Sequence, residues 1–257
     1  MLFGLLWKNP MEFLDRVLTS AEFQLDRFRA KATSPSARYG ELLQQLRQQF
    51  GTELYLYLEE EPLRDIENSV IQGQQLTLVN PAFETYHDAE FTLARLCYAI
   101  CRLKQPEAIV ETGVGYGVTS AFFLQALAVN GKGELWSIDL PPLAANAEIQ
   151  SGCLVPSSLR SRWHLVRGRS RRMLPQLISQ LQGFDIFLHD SLHTYRNMFW
   201  EFQTVWPALR PGGTLLSDDV AMNRAFEDFG SQVDEAFSAV SGEGDKCRRF
   251  GVMVKKI

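Results

Sequence analysis

The chain has 257 residues, 46% of them hydrophobic and 22% charged, a size and mixture that fit one large globular domain or a domain with an extension. Its formal net charge is -4 with acids and bases interleaved, so the bulk electrostatics give no reason to expect a nucleic-acid partner. No stretch approaches the roughly 20 apolar residues that cross a bilayer, which excludes a helical membrane span.

The N-terminal MLFGLLWK is apolar but short, lacks a basic leading region and runs into MEFLDRV without a cleavage site, so secretion is not expected. Docking of this segment on the domain is the ordinary reading, and its apolar character also makes a homodimer reasonable. Residues up to Asn80 read as helical and irregular. Within them Leu42, Leu43, Leu46 and Phe50 recur at three and four residues and mark one helix stripe. A composition break at VNPAF, where Asn80-Pro81 favours an extended entry, divides the chain into a helical extension, 1–80, and a main domain, 81–257. The sequence from Thr85 to Lys104 predicts a long, largely buried helix. It carries Cys97 and Cys101, which with Cys153 and Cys247 form no CxxC pair and lie at no zinc-ligand spacing. They read as reduced thiols of a cytosolic protein, the first two as packing residues.

Beyond this helix, short apolar runs alternate with longer amphipathic ones. Strands are predicted at 107–112, 133–139, 163–168, 184–190 and 214–219, with a last strand in RFGVMVKK. Helices are predicted at Val118–Asn130, Met173–Leu181, Tyr195–Leu209 and Ala225–Val240. The βαβα order predicts an α/β fold with a doubly wound, mostly parallel sheet. Ligands of such sheets sit beyond the carboxyl ends of the strands, so the residues there carry the functional reading. The irregular stretch Leu140–Ser158 either folds over a pocket or simply connects two elements.

The first strand ends in E-T-G-V-G-Y-G, placing Glu111 beside Gly113, Gly115 and Gly117 ahead of a helix. Alternating glycines let the backbone turn tightly and approach a ligand, and the helix start offers free N-H groups. The next strand ends in Asp139, where a carboxylate can accept from both hydroxyls of a ribose; capping a turn is its plain structural alternative. The GxGxG spacing differs from the GxGxxG of pyrophosphate-binding loops. An acid beside the loop suits an ammonium or sulfonium ligand, unless Glu111 merely pairs with a basic neighbour.

On ETGVGYG, WSID and the LRPGG that precedes TLLSDD, the chain from Pro81 onward resembles the class I S-adenosylmethionine-dependent methyltransferases. The resemblance implies a Rossmann-like methyltransferase fold. It also implies that Glu111, Gly113, Gly115 and Gly117 line the methionine side of S-adenosylmethionine, that Asp139 holds the ribose, and that Ser170 in VRGRS lies at the adenine. The chain departs from the family in carrying Arg169 where an acid is common.

Two strands end in carboxylates, FDIFLHD in Asp190 and TLLSDD in Asp218 and Asp219. Adjacent strands lie about 5 Å apart, so the three acids are expected to converge. Their repulsion calls for a proton, a basic partner or a divalent cation such as magnesium, manganese or calcium. Helix capping is the alternative for Asp190 or Asp218 taken singly. The pattern is similar to metal-dependent O-methyltransferases acting on catechols, sugars and macrolides, which implies Asp190, Asp218 and Asp219 as metal ligands and His193, in D-S-L-H-T-Y, as general base. His189 is expected on the opposite strand face, in a structural contact, and Tyr195 is expected to pack. The resulting expectation is an S-adenosylmethionine- and magnesium-dependent O-methyltransferase for a small-molecule hydroxyl acceptor, a sugar or natural product. The competing readings are a catalytically silent methyltransferase-like binding module and a nicotinamide-dependent oxidoreductase.

Overall fold

The computed structural model describes residues 2–26, 31–32, 37–77, 91–143, 147–233, 235–241 and 248–256. The proposed boundary at 80/81, the first turn of the helix predicted from Thr85, and Cys247 lie outside the described residues. The N-terminal part is helical, with α1 (Leu2–Lys8), α2 (Pro10–Asp26), α3 (Tyr39–Phe50), α4 (Glu53–Leu58) and α5 (Glu61–Thr77), plus a two-residue strand β1 (Ala37–Arg38). Then follow α6 (Phe91–Lys104), β2 (Ala108–Thr112), α7 (Val118–Asn130), β3 (Glu134–Asp139), α8 (Ala147–Gln150), a 3₁₀ turn (Ser157–Arg162), β4 (Trp163–Arg167) and α9 (Ser170–Leu181). The chain continues through β5 (Phe184–His189), α10 (Tyr195–Val205), β6 (Leu209–Ser217), α11 (Ala225–Gly230), β7 (Ala236–Ser241) and β8 (Arg248–Val254).

The described strands form one eight-stranded sheet in the order β1-β7-β8-β6-β5-β2-β3-β4. Strands β4, β3, β2, β5 and β6 are mutually parallel, and β8 runs antiparallel to β6 and β7. Strand order reverses between β2 and β5, and at such a switch point the βα loops diverge and leave a crevice. The glycine loop and the Asp190 loop both open there.

Each face of the sheet has its own apolar layer. On one side α6 and α7 pack with Leu42, Leu46, Leu54, Leu63, Ile66 and Val70 of the N-terminal helices; on the other, α9, α10 and α11 pack around Phe187, Phe202 and Phe229. The stripe predicted from Leu42 is therefore core. Helix α7 is apolar all round and buried, ended by Gly131 in the left-handed region at φ 71°, where glycine carries no Cβ penalty. Cys97 and Cys101 are fully buried, as packing thiols should be.

One predicted element is corrected. Residues Ala225–Val240 are not one helix: α11 stops at Gly230 and Ala236–Ser241 is strand β7. Gly230 breaks the helical run, and β7 gains a full antiparallel ladder with β8, from Ala236 opposite Met253 to Ser241 opposite Arg248. Cross-strand pairing outweighs the helical tendency of DEAFSAV. Strand β6 also begins earlier than TLLSDD, at Leu209, after an irregularity in its pairing with β5.

Candidate active site

The glycine loop is fixed from beneath. Glu111, the last but one residue of β2, is fully buried and accepts from Thr119 Oγ1 at 2.7 Å, Ser120 Oγ at 2.6 Å and Ser137 Oγ at 2.6 Å. Burial pushes its carboxyl up from the usual range, against these three hydroxyls. Its partners are thus the start of α7 and the middle of β3, and among the described residues no basic neighbour pairs with it.

Gly113, Gly115 and Gly117 all have positive φ, at 85°, 53° and 91°. A Cβ on Gly113 would stand 1.9 Å from the Asp190 carbonyl oxygen, so this glycine lets the loops after β2 and β5 touch. A Cβ on Gly117 would meet Gly152 Cα at 2.9 Å. The segment after β3 folds back over the loop: Gly152 N donates to Gly115 O at 2.9 Å, Leu154 N to Tyr116 O at 3.0 Å, and Ser151 Oγ to Asp139 Oδ2 at 3.1 Å. Within Leu140–Ser158 the described residues Ser151–Leu154 thus pack on the glycine loop, a contact that by itself fits either reading of the segment. Asp139 ends β3 beneath that segment. Burial raises its pKa to about 6, against hydrogen bonds from Ser151 and from the backbone of Val114 and Leu140.

Of the three strand-end acids, Asp190 and Asp218 meet, together with His193, and Asp219 stands apart from them. Ligand atoms of Asp190, His193 and Asp218 all lie within 4.8 Å of one another. His193 Nε2 is 3.7 Å from Asp190 Oδ1, and its Nδ1 is 3.8 Å from Asp219 Oδ2. Asp218 is 5% exposed. Asp219 takes a left-handed conformation at φ 48°, a turn that an aspartate tolerates better than most residues and that carries its side chain to the far side of the His193 ring. The compact trio therefore contains His193, with Asp219 across the ring. Three carboxylates around one imidazole carry more negative charge than that group can balance, and oxygen donors with one nitrogen fit a divalent cation.

Behind this cluster lies a residue that belongs to no sequence motif. Glu201 on α10 is fully buried. Its Oε2 accepts from Thr112 Oγ1 at 2.7 Å and pairs with His189 Nδ1 at 2.7 Å, while its Oε1 accepts from Ser191 Oγ and Asn197 Nδ2, both at 2.9 Å. Burial pushes this carboxyl up, but the charge and hydrogen bond of His189, with the Ser170 and Thr112 hydroxyls, outweigh it and hold the pKa at about 2. Glu201 thereby ties the ends of β2 and β5 to the loop that carries Asp190 and His193. Its only sequence signal is a lone acid among the apolar residues of α10. Asn223 adds a further hold, with Nδ2 donating to His193 O at 3.2 Å.

The other expected residues fall as follows. His189 is fully buried against Glu201 and Phe202, in the structural position expected of it. Tyr195 stacks on Phe199 at 5.6 Å and donates to Asp228 at 3.1 Å, so it packs. Ser170 is buried and its hydroxyl turns inward, donating to Asn197 Oδ1 at 3.5 Å.

Helix α2 lies across these strand ends with its acids inward. Glu12 accepts from Arg167 Nη2 at 2.9 Å and from Arg16, and Asp15 from Arg172 Nη2 at 2.6 Å. Glu22 pairs with Arg169 and accepts from Thr194 Oγ1 at 2.7 Å, and Asp26 accepts from Tyr195 N at 2.9 Å. Arg16 also reaches Pro141 O at 2.8 Å. The unexpected Arg169 is thus the counter-ion of an N-terminal helix that bridges the Asp139 side and the His193 side of the crevice. The sequence alone could not show that pairing, since its partners are 147 residues apart.

Residues 110–220 match the family described as "Methyltransferase domain". No curated protein sequence matches the chain. Among solved structures, the O-methyltransferase from Bacillus cereus in complex with SAH superposes with a TM-score of 0.58 at 13% identity, covering 84% of this chain and 97% of that one. TomG from Streptomyces achromogenes, an O-methyltransferase involved in tomaymycin synthesis and solved with SAM, gives 0.55 at 16% identity, covering 81% and 98%. SAH-bound PaMTH1 from Podospora anserina, a methyltransferase, gives 0.53 at 12% identity, covering 88% and 100%.

Proposed function

We propose that the chain is a class I, S-adenosylmethionine-dependent methyltransferase that methylates a hydroxyl oxygen of a small molecule with the help of a divalent cation, a reading supported by the match of residues 110–220 to a methyltransferase domain and by the shared fold. The observation that carries the reading is the meeting of Asp190, His193 and Asp218 at the strand ends, across the switch point from the glycine loop. The bacterial neighbours named as O-methyltransferases agree with it. For the acceptor, a sugar or natural product fits a site whose groups recognise a hydroxyl.

The cofactor residues are assigned as follows. Gly113, Gly115 and Gly117 bring backbone to the methionine end, and Asp139 meets the ribose once Ser151 gives way. Glu111 acts through the loop it supports, since its oxygens are taken by three hydroxyls. Ser170 offers the adenine its backbone, because its hydroxyl is turned inward toward Asn197 and Glu201. When bound, S-adenosylmethionine supplies a methyl carried on a sulfonium, and a cation held by Asp190 and Asp218 lowers the pKa of an acceptor hydroxyl. The chain's own part is to orient the acceptor and to take its proton on His193, an effect typically worth about 10²- to 10⁴-fold.

A second reading of the cation site has its own support. The close trio contains His193 rather than Asp219, so His193 is a metal ligand in that version. A nitrogen ligand shifts preference from magnesium toward manganese and other transition metals. Equilibrium dialysis separates the two. With His193 as base, His193→Ala binds the cation as the unchanged chain does and loses turnover; with His193 as ligand, binding itself falls. Asp218→Asn lowers cation binding in both versions, and full activity in excess EDTA rejects both. For the cofactor, calorimetry with S-adenosylhomocysteine is expected to show binding lost in Gly115→Arg and Asp139→Ala; unchanged binding rejects the assignment.

A further inference from the structure

Helix α2 is inverted relative to an ordinary surface helix. Its acids Glu12, Asp15 and Glu22 are buried against the arginines of β4 and α9, while Met11, Leu14, Val17, Leu18 and Leu25 face solvent. A surface helix normally buries its apolar stripe, so this one has a face that the described residues leave uncovered. Helix α1 extends the same exposure, with Phe3 80% and Trp7 88% exposed.

The spacing of the face identifies what covers it. Met11, Leu14, Leu18, Ala21 and Leu25, all exposed, follow one another at steps of three, four, three and four residues. This 3.5-residue period is the seam by which one helix takes another in knobs-into-holes packing. A lipid surface requires no such register and is favoured by a row of basic residues beside the apolar face. In α1 and α2 the basic residues are Lys8 and Arg16, and Arg16 is already paired with Glu12. The seam itself carries no charge, because the acids of α2 point the other way, so two identical seams meet without repulsion. That self-complementarity is what a two-fold interface demands. The exposed parts of Phe3, Leu6, Trp7 and the α2 residues amount to roughly 800 Å², the share that one partner gives to an interface of standard size.

We propose that the seam of α2, flanked by α1, is the surface on which a second copy of this chain docks, α2 against α2. The seam rests on packing alone, so its fate is independent of the methyl-transfer reading. Leu18 lies midway along it and meets its own counterpart in either helix orientation, whereas Leu25 does so only if the helices run parallel.

The test is sedimentation velocity on the full chain from about 1 to 100 µM, a span bracketing the micromolar affinities of modest interfaces. A dimer is expected, and Leu14→Glu with Leu18→Glu is expected to raise its dissociation constant at least 100-fold while leaving the melting temperature of the monomer in place, since both side chains are exposed. Leu18→Cys is expected to form a disulfide-linked dimer under mild oxidation; the unchanged chain and Ser231→Cys, exposed at the end of α11, serve as controls. A chain monomeric throughout the range overturns the proposal. So does a dimer indifferent to Leu14→Glu and Leu18→Glu, a dimer in which Leu18→Cys links no better than Ser231→Cys, or a monomer that floats with phosphatidylcholine vesicles through these leucines.

Discussion

Removing the Glu201 carboxylate is expected to cost far more than neutralising it, because its two oxygens serve different kinds of donor. In Glu201→Ala the groups that now meet it, Thr112, His189, Ser191 and Asn197, lose their acceptor in a space with no exposure to solvent. Each orphaned buried donor costs about 1–3 kcal/mol, and breaking a buried charge pair about 3–5 kcal/mol. Overlap between the two costs leaves about 3–5 kcal/mol as the expected loss, a drop of about 6–20 °C in melting temperature for a chain of this size. Glu201→Gln behaves differently. Its carbonyl can take the place of Oε1 and accept from Ser191 and Asn197. Its amide then donates to Thr112 Oγ1 and to His189 Nδ1, provided the imidazole moves its proton to Nε2. The Gln variant should therefore lose less than half of what the Ala variant loses. Calorimetric melting of both variants beside the parent chain decides it. Equal losses in Gln and Ala, or an Ala variant within about 2 °C of the parent, would falsify the account of Glu201 as the acceptor that ties these loops together. The depressed pKa sets the pH window. The folded carboxyl titrates near 2 and an unfolded glutamate near 4.3, so this group's contribution is fully present above about 4.3 and is lost as pH falls through 2. Glu201→Ala should flatten that part of the stability profile.

Asp139 titrates the other way. With its folded pKa raised to about 6 by burial, S-adenosylhomocysteine affinity should fall as pH drops through 6 and the ribose acceptor becomes protonated; a flat calorimetric profile between pH 5 and 7, bracketing that value, opposes this. For folding the sign is reversed, since a raised carboxyl pKa adds stability below the unfolded value and loses it as pH rises through 6. Gly113→Ala combines a φ of 85° with a Cβ 1.9 Å from the Asp190 carbonyl and should displace the Asp190 loop, weakening cation and cofactor binding together; retention of both in dialysis speaks against the close approach. Glu22→Ala leaves Arg169 without its buried partner and should cost about 3–5 kcal/mol, whereas Glu22→Gln combined with Arg169→Met should recover part of it. A double-mutant cycle measures the coupling, and a value near zero speaks against Glu22–Arg169 as the pair that holds α2 on the strand ends.

Much of the central sheet was legible because its signals are local. An apolar run between turn residues specifies a strand wherever it occurs, and the glycine loop, Asp139, Asp190 and Asp218 sit at strand ends by chain order alone. The parallel topology then brings the ends carrying Asp190 and Asp218 together, the part of the expected acidic cluster that adjacent strands account for. Where two local tendencies competed, the sequence misled: 225–240 reads as helix, and the ladder to β8 makes Ala236–Ser241 strand β7.

The rest depends on contacts between residues far apart in the chain. Glu201 carries no motif, and it becomes the hub of the site because α10 lays it against the ends of β2 and β5. Arg169, at a place where the resembled family commonly has an acid, is explained by its partner Glu22 of α2. Asp219 stood beside Asp218 in the sequence, yet a left-handed turn separates them around His193. The sequence by itself determined most of the elements of the sheet, β7 excepted, and which chemical groups stand at their ends, because hydrophobic period and turn chemistry act over a few residues. Tertiary structure decided which of those groups meet, since burial and the pairing of charges are settled only when distant segments close on one another.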